Sequence, residues 1–253
     1  MDLNLKGKIA LVTGGSHGIG QAICVSLAQE GCNIAFCARG KRYDLNDTVK
    51  LVNETGNSCL PLKVDINNAS SANSVVADTL VTYGRIDILI NNIGGGSSWG
   101  NIQQWEKTSQ GVWEETVMHN YLTSVWFTNA LIPHMVNQKF GRIISISSMY
   151  GKESGGVPWF SAAKAAQLTL MKNYANNSNF VSHGLTFNTV CPGFTDIKDK
   201  GTPFISDEIA NIPMHRYATS DEISPMVTFL CSDRAAYING STIVIDGGFS
   251  KSF

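Results

Sequence analysis

An aromatic ring and a lysine stand four residues apart in Phe160-Ser161-Ala162-Ala163-Lys164. In a helix that spacing puts both side chains on one face, about one turn apart. A phenol at the first position could pass a proton to a substrate carbonyl, with the ammonium lowering its pKa. The phenyl ring that is present cannot. A second cluster able to do chemistry is Thr13-Gly14-Gly15-Ser16-His17-Gly18-Ile19-Gly20. Glycines at 14, 18 and 20 let the backbone turn tightly and approach a pyrophosphate, and the helix that follows points its amide donors at that anion. A glycine-rich turn alone is weak evidence, but its place between a strand-like run and a helical one is the dinucleotide-binding arrangement. His17 either adds a donor to this loop or faces solvent.

Downstream, Cys37-Ala38-Arg39 closes the second strand-like run and is followed by Lys41 and Arg42. A carboxylate there would accept hydrogen bonds from a ribose 2′-hydroxyl and repel a 2′-phosphate. A guanidinium can hold a phosphate bidentately. These bases are either phosphate ligands or ordinary exposed loop charges. With three bases and no acid, the pattern favours NADP(H), with NAD(H) still open.

The elements that must position these groups alternate regularly. Strand-like runs fall at Lys8–Thr13, Asn33–Ala38, Ser58–Val64, Ile86–Asn91, Gly141–Ser147, Leu185–Cys191 and Thr242–Asp246. Most are continuous apolar segments, as in strands covered on both faces. Helical stretches at Ile19–Glu30, Ser70–Tyr83, Gly111–Val136, Phe160–Asn179 and Asp221–Cys231 separate them. This β-α-β alternation predicts an α/β fold: a single doubly wound, Rossmann-type domain over residues 1–253, with a mostly parallel seven-stranded sheet flanked by helices.

Composition narrows the function classes. A chain of 253 residues with net charge −1 has no electrostatic bias toward nucleic acid or a membrane surface. No apolar run is long enough to span a bilayer, and a strand-like run by Lys8 leaves no room for a signal peptide. The six cysteines lack any CxxC pair and read as reduced, buried thiols. The five histidines are dispersed, so no metal site is expected. A soluble, cytoplasmic protein is the expectation.

In family order the chain carries Thr13–Gly20, Asp65, Asn91-Asn92-Ile93-Gly94, Asn120, Ser148, Lys164, Pro192-Gly193 and Ile245-Asp246-Gly247-Gly248. Over essentially its whole length it resembles the short-chain dehydrogenase/reductase family. Within that family it looks most like the 3-oxoacyl-acyl-carrier-protein reductase branch and its sugar, polyol and small-ketone relatives. The resemblance implies a homotetramer, reversible hydride transfer and a nicotinamide cofactor. It implies that Ser148 hydrogen-bonds the substrate carbonyl and that Lys164 binds the nicotinamide ribose. Asn120 would kink its long helix and hold a proton-relaying water. By the same resemblance Gly14, Ser16, His17, Gly18, Ile19, Gly20, Arg39, Asn92 and Gly94 line the cofactor. Asp65 and Ile66 flank the adenine, and Pro192, Gly193 and Thr195 cover the nicotinamide. Apart from the family, Ser148 could cap a turn, Asn120 could satisfy helix backbone, and Lys164 could be a solvated surface charge.

Three positions depart from the family pattern. Phe160 replaces its catalytic tyrosine, Ile93 replaces a usual alanine, and the usual threonine either comes two positions early, as Thr195, or is missing. With Asn120, Ser148 and Lys164 in place, Phe160 reads as an isolated change in an enzyme scaffold, engineered or natural, that binds cofactor and turns over poorly. The rival reading, from another class, is a natural NADP(H)-binding sensor or structural subunit.

For a small-molecule substrate, the expected contacts are Trp99, Ser148, Tyr150, Glu153 and Trp159, with a small segment near 194–213 as a short lid. Aromatic faces mixed with hydrogen-bonding groups suit a small polar, sugar-like ketone or alcohol. A 3-oxoacyl thioester is the alternative.

Overall fold

A computed structural model describes residues 1–40, 44–95, 100–197 and 205–252. Lys41, Arg42 and Trp99 lie outside the described residues, as does the stretch 198–204 within the expected lid.

The chain alternates strands and helices in the order β1 (Ile9–Thr13), α1 (Gly18–Gln29), β2 (Asn33–Ala38), α2 (Leu45–Asn53), β3 (Cys59–Lys63), α3 (Ala69–Tyr83) and β4 (Ile88–Asn91). The second half runs α4 (Gln110–Val117), α5 (Thr123–Gln138), β5 (Gly141–Ile146), α6 (Pro158–Ala175), α7 (Ser178–Val181), β6 (Leu185–Pro192), β7 (Thr195–Asp196), α8 (Ser206–Asn211), β8 (Ala218–Thr219), α9 (Ser220–Leu230) and β9 (Thr242–Ile245). Seven strands form one sheet in the order β3-β2-β1-β4-β5-β6-β9, and β7 and β8 make a separate pair. Every ladder in the seven-stranded sheet is parallel.

Alternation along the strands sends side chains to two cores. Ala10, Val12, Ile34, Phe36, Ile88, Ile90 and Ile144 pack with Ile23 and Leu27 of α1 and Ile223 and Val227 of α9. Leu11, Ala35, Leu89, Ile143 and Phe187 point the other way, onto Val75 of α3, Phe127 and Leu131 of α5, and Met171 of α6. Burial of each large side chain contributes roughly 1.5–3 kcal/mol, so both helical layers are firmly seated. Among the described residues no helix is long and apolar enough to cross a membrane.

Local chemistry sets the helix ends. Asn68 and Ser71 form a reciprocal capping box at α3, which Gly84 closes with φ +75°. Thr219 and Glu222 do the same for α9. The helix expected to run to Asn179 stops at Ala175. Asn177 then accepts the Asn179 amide at 3.0 Å and starts α7.

The chain reverses sheet direction between β1 and β4. A crevice therefore opens at the carboxyl ends of these two strands, where doubly wound folds bind ligands. The glycine loop leaves β1 there, and Asn91-Asn92 leaves β4.

Candidate active site

At the glycine loop, three glycines are needed for different reasons. Gly14 (φ +70°) and Gly18 (φ +54°) occupy the left-handed region, which side chains disfavour. Gly20 is needed for closeness: a Cβ there would collide with the Gly14 carbonyl oxygen and sit 2.5 Å from Asn92 Nδ2. The loop is braced from β4, since Asn92 Nδ2 donates to the carbonyls of Thr13 and Gly14, each at 3.0 Å. Thr13 Oγ1 accepts the amides of Asn92 and Ile93 at 2.9 and 3.0 Å. The sequence signal for this brace is a polar residue, Thr13, ending an otherwise apolar strand. Ser16 Oγ lies 3.3 Å from His17 Nδ1, and His17 precedes α1 in extended conformation. Ile19 packs against the core beneath the loop.

Arg39 is exposed, directly after β2. Burial, and then the Arg39 charge, hold His119 below its usual pKa, while Asp65 acts on it in the opposite sense. Arg39 and Asp65 thus both lie near enough to act on the same imidazole. The side chain of Ile66, expected beside an adenine, is buried with Ala72 and Val75, so the position is held firmly by the core next to Asp65.

The reactive end is assembled from four elements. The single long helix expected over Gly111–Val136 is broken by a π turn, Met118–Leu122, in which the Thr123 amide donates to the Met118 carbonyl. Asn120 sits in that turn, fully buried. Its Oδ1 accepts the Gly95 amide at 2.8 Å, and its Nδ2 donates to the carbonyls of Gly95 and Thr116, each at 3.0 Å. Ser148 follows β5, and its Oγ accepts the Tyr150 amide at 3.2 Å. It caps a short 3-10 turn, Met149–Gly151, and its hydroxyl proton remains available to a carbonyl oxygen.

Lys164 lies nearly two turns into α6 and is 4 % exposed, so it is not a solvated surface charge. Its Nζ donates to the Ile146 carbonyl at 2.9 Å and to Gln167 Oε1 at 3.3 Å. Burial lowers its pKa to about 8. A Cβ on Gly94 would lie 2.7 Å from Asn120 Oδ1 and 2.9 Å from Lys164 Nζ. Gly94, Asn120 and Lys164 therefore converge, and only glycine leaves room between them. Phe160 is half-buried on the same helix, with Lys164 Nζ 5.8 Å from its ring centre.

From the far side, the turn after β6 closes over the glycine loop. A Cβ on Gly193 would meet Asp246 at 2.7 Å, and one on Gly18 would meet Ile197 at 3.1 Å. Pro192 ends β6, and Thr195 Oγ1 donates back to the Gly193 carbonyl at 3.0 Å, inside the turn. This cradle of glycines, converging amides and one ammonium fits a dinucleotide in shape and charge.

The expected substrate contacts divide. Tyr150 meets Phe194 and Phe249 edge-on, at ring separations of 6.1 and 6.4 Å, and Phe194 stacks on Tyr217 at 5.4 Å. Burial raises the Tyr150 phenol above its usual pKa. Glu153 accepts the backbone amides of Lys251 and Ser252 at 3.2 and 2.6 Å, which ties it to the C-terminal tail. Trp159 is a correction: it is 1 % exposed and packs edge-on against Trp113 at 5.7 Å, so it is a structural wall rather than a substrate-facing ring. Phe194 opens the segment near 194–213 expected to face substrate, whereas Tyr217 and Phe249 carry no such signal in the sequence, because their convergence depends on contacts between remote segments.

Comparison with known proteins agrees with this geometry. Residues 14–250 match the family model described as enoyl-(acyl carrier protein) reductase. The 3-oxoacyl-(acyl-carrier-protein) reductase of Escherichia coli strain K12 is 33% identical over 252 residues, covering 97% of this chain and 98% of that protein. Its counterpart in Staphylococcus aureus strain Mu50 is 31% identical over 247 residues, covering 95% and 97%. Among solved structures, a short-chain type dehydrogenase/reductase from Mycobacterium marinum superposes with TM-score 0.89 at 26% identity, covering 99% of this chain and 98% of that one. A short-chain dehydrogenase/reductase from Serratia marcescens BCRC 10948 gives 0.87 at 29% identity, covering 97% and 99%.

Proposed function

This chain belongs to the short-chain dehydrogenase/reductase family of oxidoreductases, and we propose that it is built to interconvert a ketone and a secondary alcohol with NADP(H). The observation that carries this reading is the convergence of Gly94, Asn120 and Lys164 between the glycine loop and Ser148. A bound nicotinamide supplies or accepts the hydride. Ser148 donates its hydroxyl proton to the substrate oxygen and holds the carbonyl in place. The Lys164 ammonium binds ribose hydroxyls through its remaining N–H and adds positive charge where the oxyanion develops. Asn120 fixes the Gly95 backbone beside the ammonium. Phe160 has no proton to give. The chain as it stands therefore binds cofactor and turns over slowly.

Arg39 supports the phosphate-bearing cofactor, because no acid follows β2 to compete for a ribose hydroxyl. For the substrate, Ser148 beside the phenol-bearing wall of Tyr150, Phe194 and Phe249 favours a small polar ketone or sugar-like alcohol. A 3-oxoacyl thioester is the second reading, favoured by the full-length likeness to 3-oxoacyl-(acyl-carrier-protein) reductases. A binding-only NADP(H) subunit is the third, favoured by Phe160 itself. The homotetramer implied by the resemblance draws support from exposed apolar side chains at Ile102, Trp105 and Trp113.

The test is consumption of NADPH and NADH by this chain and by Phe160→Tyr, over sugar ketones, small ketones and acyl thioesters. Activity gained by the variant alone sustains the oxidoreductase reading, and the responding substrate names the class. NADPH binding with no turnover by either protein moves the binding-only reading ahead.

A further inference from the structure

We propose that Gln167 is a positioning residue for Lys164, its side-chain oxygen fixing where the ammonium sits in the candidate active site. The consequence for catalysis rests on the oxidoreductase reading above; the geometry does not. Gln167 lies on α6 one turn after Lys164 and is fully buried. Its Oε1 accepts from Lys164 Nζ at 3.3 Å, and its Nε2 donates to Ser124 Oγ, on the first turn of α5, at 2.9 Å. A lysine ammonium only donates, so the amide oxygen must face it and the amide group has one allowed orientation. Ser124 anchors the other end, four residues beyond Asn120. The ammonium is thereby tied both to the helix that carries the π turn and, through the Ile146 carbonyl, to the end of β5.

An apolar side chain would fill this buried volume without any polar group to satisfy. The amide instead serves a charge that has no carboxylate partner among the described residues. The titratable group acting on Lys164 is Cys191 of β6, and burial pushes that thiol up to about 11, so it is neutral near pH 7. Phe160 contributes only a ring face, and Asn120, Ser124 and Gly94 are uncharged. Among the described residues, two neutral acceptors, Ile146 O and Gln167 Oε1, are therefore what the ammonium is offered. The third N–H is left for the Gly94 side, where a ligand would lie.

The experiment titrates the protein labelled with ¹³C-lysine, following the Lys164 Cε resonance, which is assigned by its loss in Lys164→Met. Gln167→Leu removes an acceptor of the charged form and is expected to lower the Lys164 midpoint by about one pH unit. Gln167→Glu supplies a carboxylate and is expected to raise it. In parallel, the alkaline limb of NADPH affinity, read by fluorescence, should move in the same direction as each midpoint. An unmoved midpoint in the folded variants overturns the proposal. Should Gln167→Leu fail to fold, the sign of the Gln167→Glu shift decides it alone. If midpoints move but no protein binds NADPH, the positioning role stands and the oxidoreductase reading falls.

Discussion

The Lys164 ammonium stands over the Phe160 ring, 5.8 Å from its centre and one helical turn away. The ring face attracts the cation but can neither accept nor donate a proton. Phe160→Tyr places a phenol in this relationship with little change of shape. A positioned general acid contributes about 10²- to 10⁴-fold in rate, and a gain of that size in kcat/KM is expected with the responding substrate. Steady-state kinetics on both proteins measures it directly.

Lys164 also makes stability depend on pH. Burial lowers its pKa to about 8 from the usual 10.5, so the folded chain sheds this proton before the unfolded chain does. Between about pH 8 and 10.5 the unfolded state binds more protons, and the contribution of Lys164 to stability rises with pH. Below about 8 the cost of burying the charge is present in full. Lys164→Met should therefore be most favoured relative to the parent near pH 7, with the advantage shrinking toward pH 10.5. Paired thermal melts cancel the buried thiols common to both proteins, and a difference flat across this window would count against the assignment.

Arg39→Asp should exchange cofactor preference. Losing a charged contact to a 2′-phosphate costs roughly 1.5–3 kcal/mol, about 10- to 150-fold in NADPH affinity. The new carboxylate can accept from a 2′-hydroxyl, so NADH affinity should hold or improve. Fluorescence titration with both nucleotides reads the ratio.

Gly20→Ala should damage loop and fold together. Its Cβ would collide with the Gly14 carbonyl oxygen and lie 2.5 Å from Asn92 Nδ2, and neither atom belongs to a flexible side-chain end free to retreat. Overpacking of this kind costs about 3 kcal/mol. Denaturant unfolding should register that loss, and NADPH titration should show weakened binding.

Much of this architecture was legible in the sequence because doubly covered strands are apolar on both faces. All seven strand-like runs became strands, with ends moved by no more than two residues. Other elements carried no such signature. In α2 only Thr48 and Val52 are buried, so its pattern is mostly polar, while β7 and β8 are two residues each. The π turn was foreshadowed only by Asn120. Trp159 misled because an aromatic beside a reactive segment looks the same in sequence whether it faces a ligand or a neighbouring helix. Gln167 is a lone amide on the inner face of α6 three residues after Lys164, but its other partner, Ser124, lies on α5, which it meets only in the fold.

The π turn at Met118–Leu122 also fixes a phase. An α-helix advances about 100° per residue, and the wide turn absorbs one extra residue between α4 and α5. Upstream, Trp113 is aimed at Trp159; downstream, Phe127 and Leu131 are aimed into the core. Deleting one residue from this run would let it close as continuous α-helix with both halves keeping their faces, because the extra residue is what the wide turn holds. The tryptophan pair and the core residues of α5 would stay in place, while the bulge that presents Asn120 to Gly95 would be lost. A residue added or removed outside the turn would instead rotate one half against the other by about 100°.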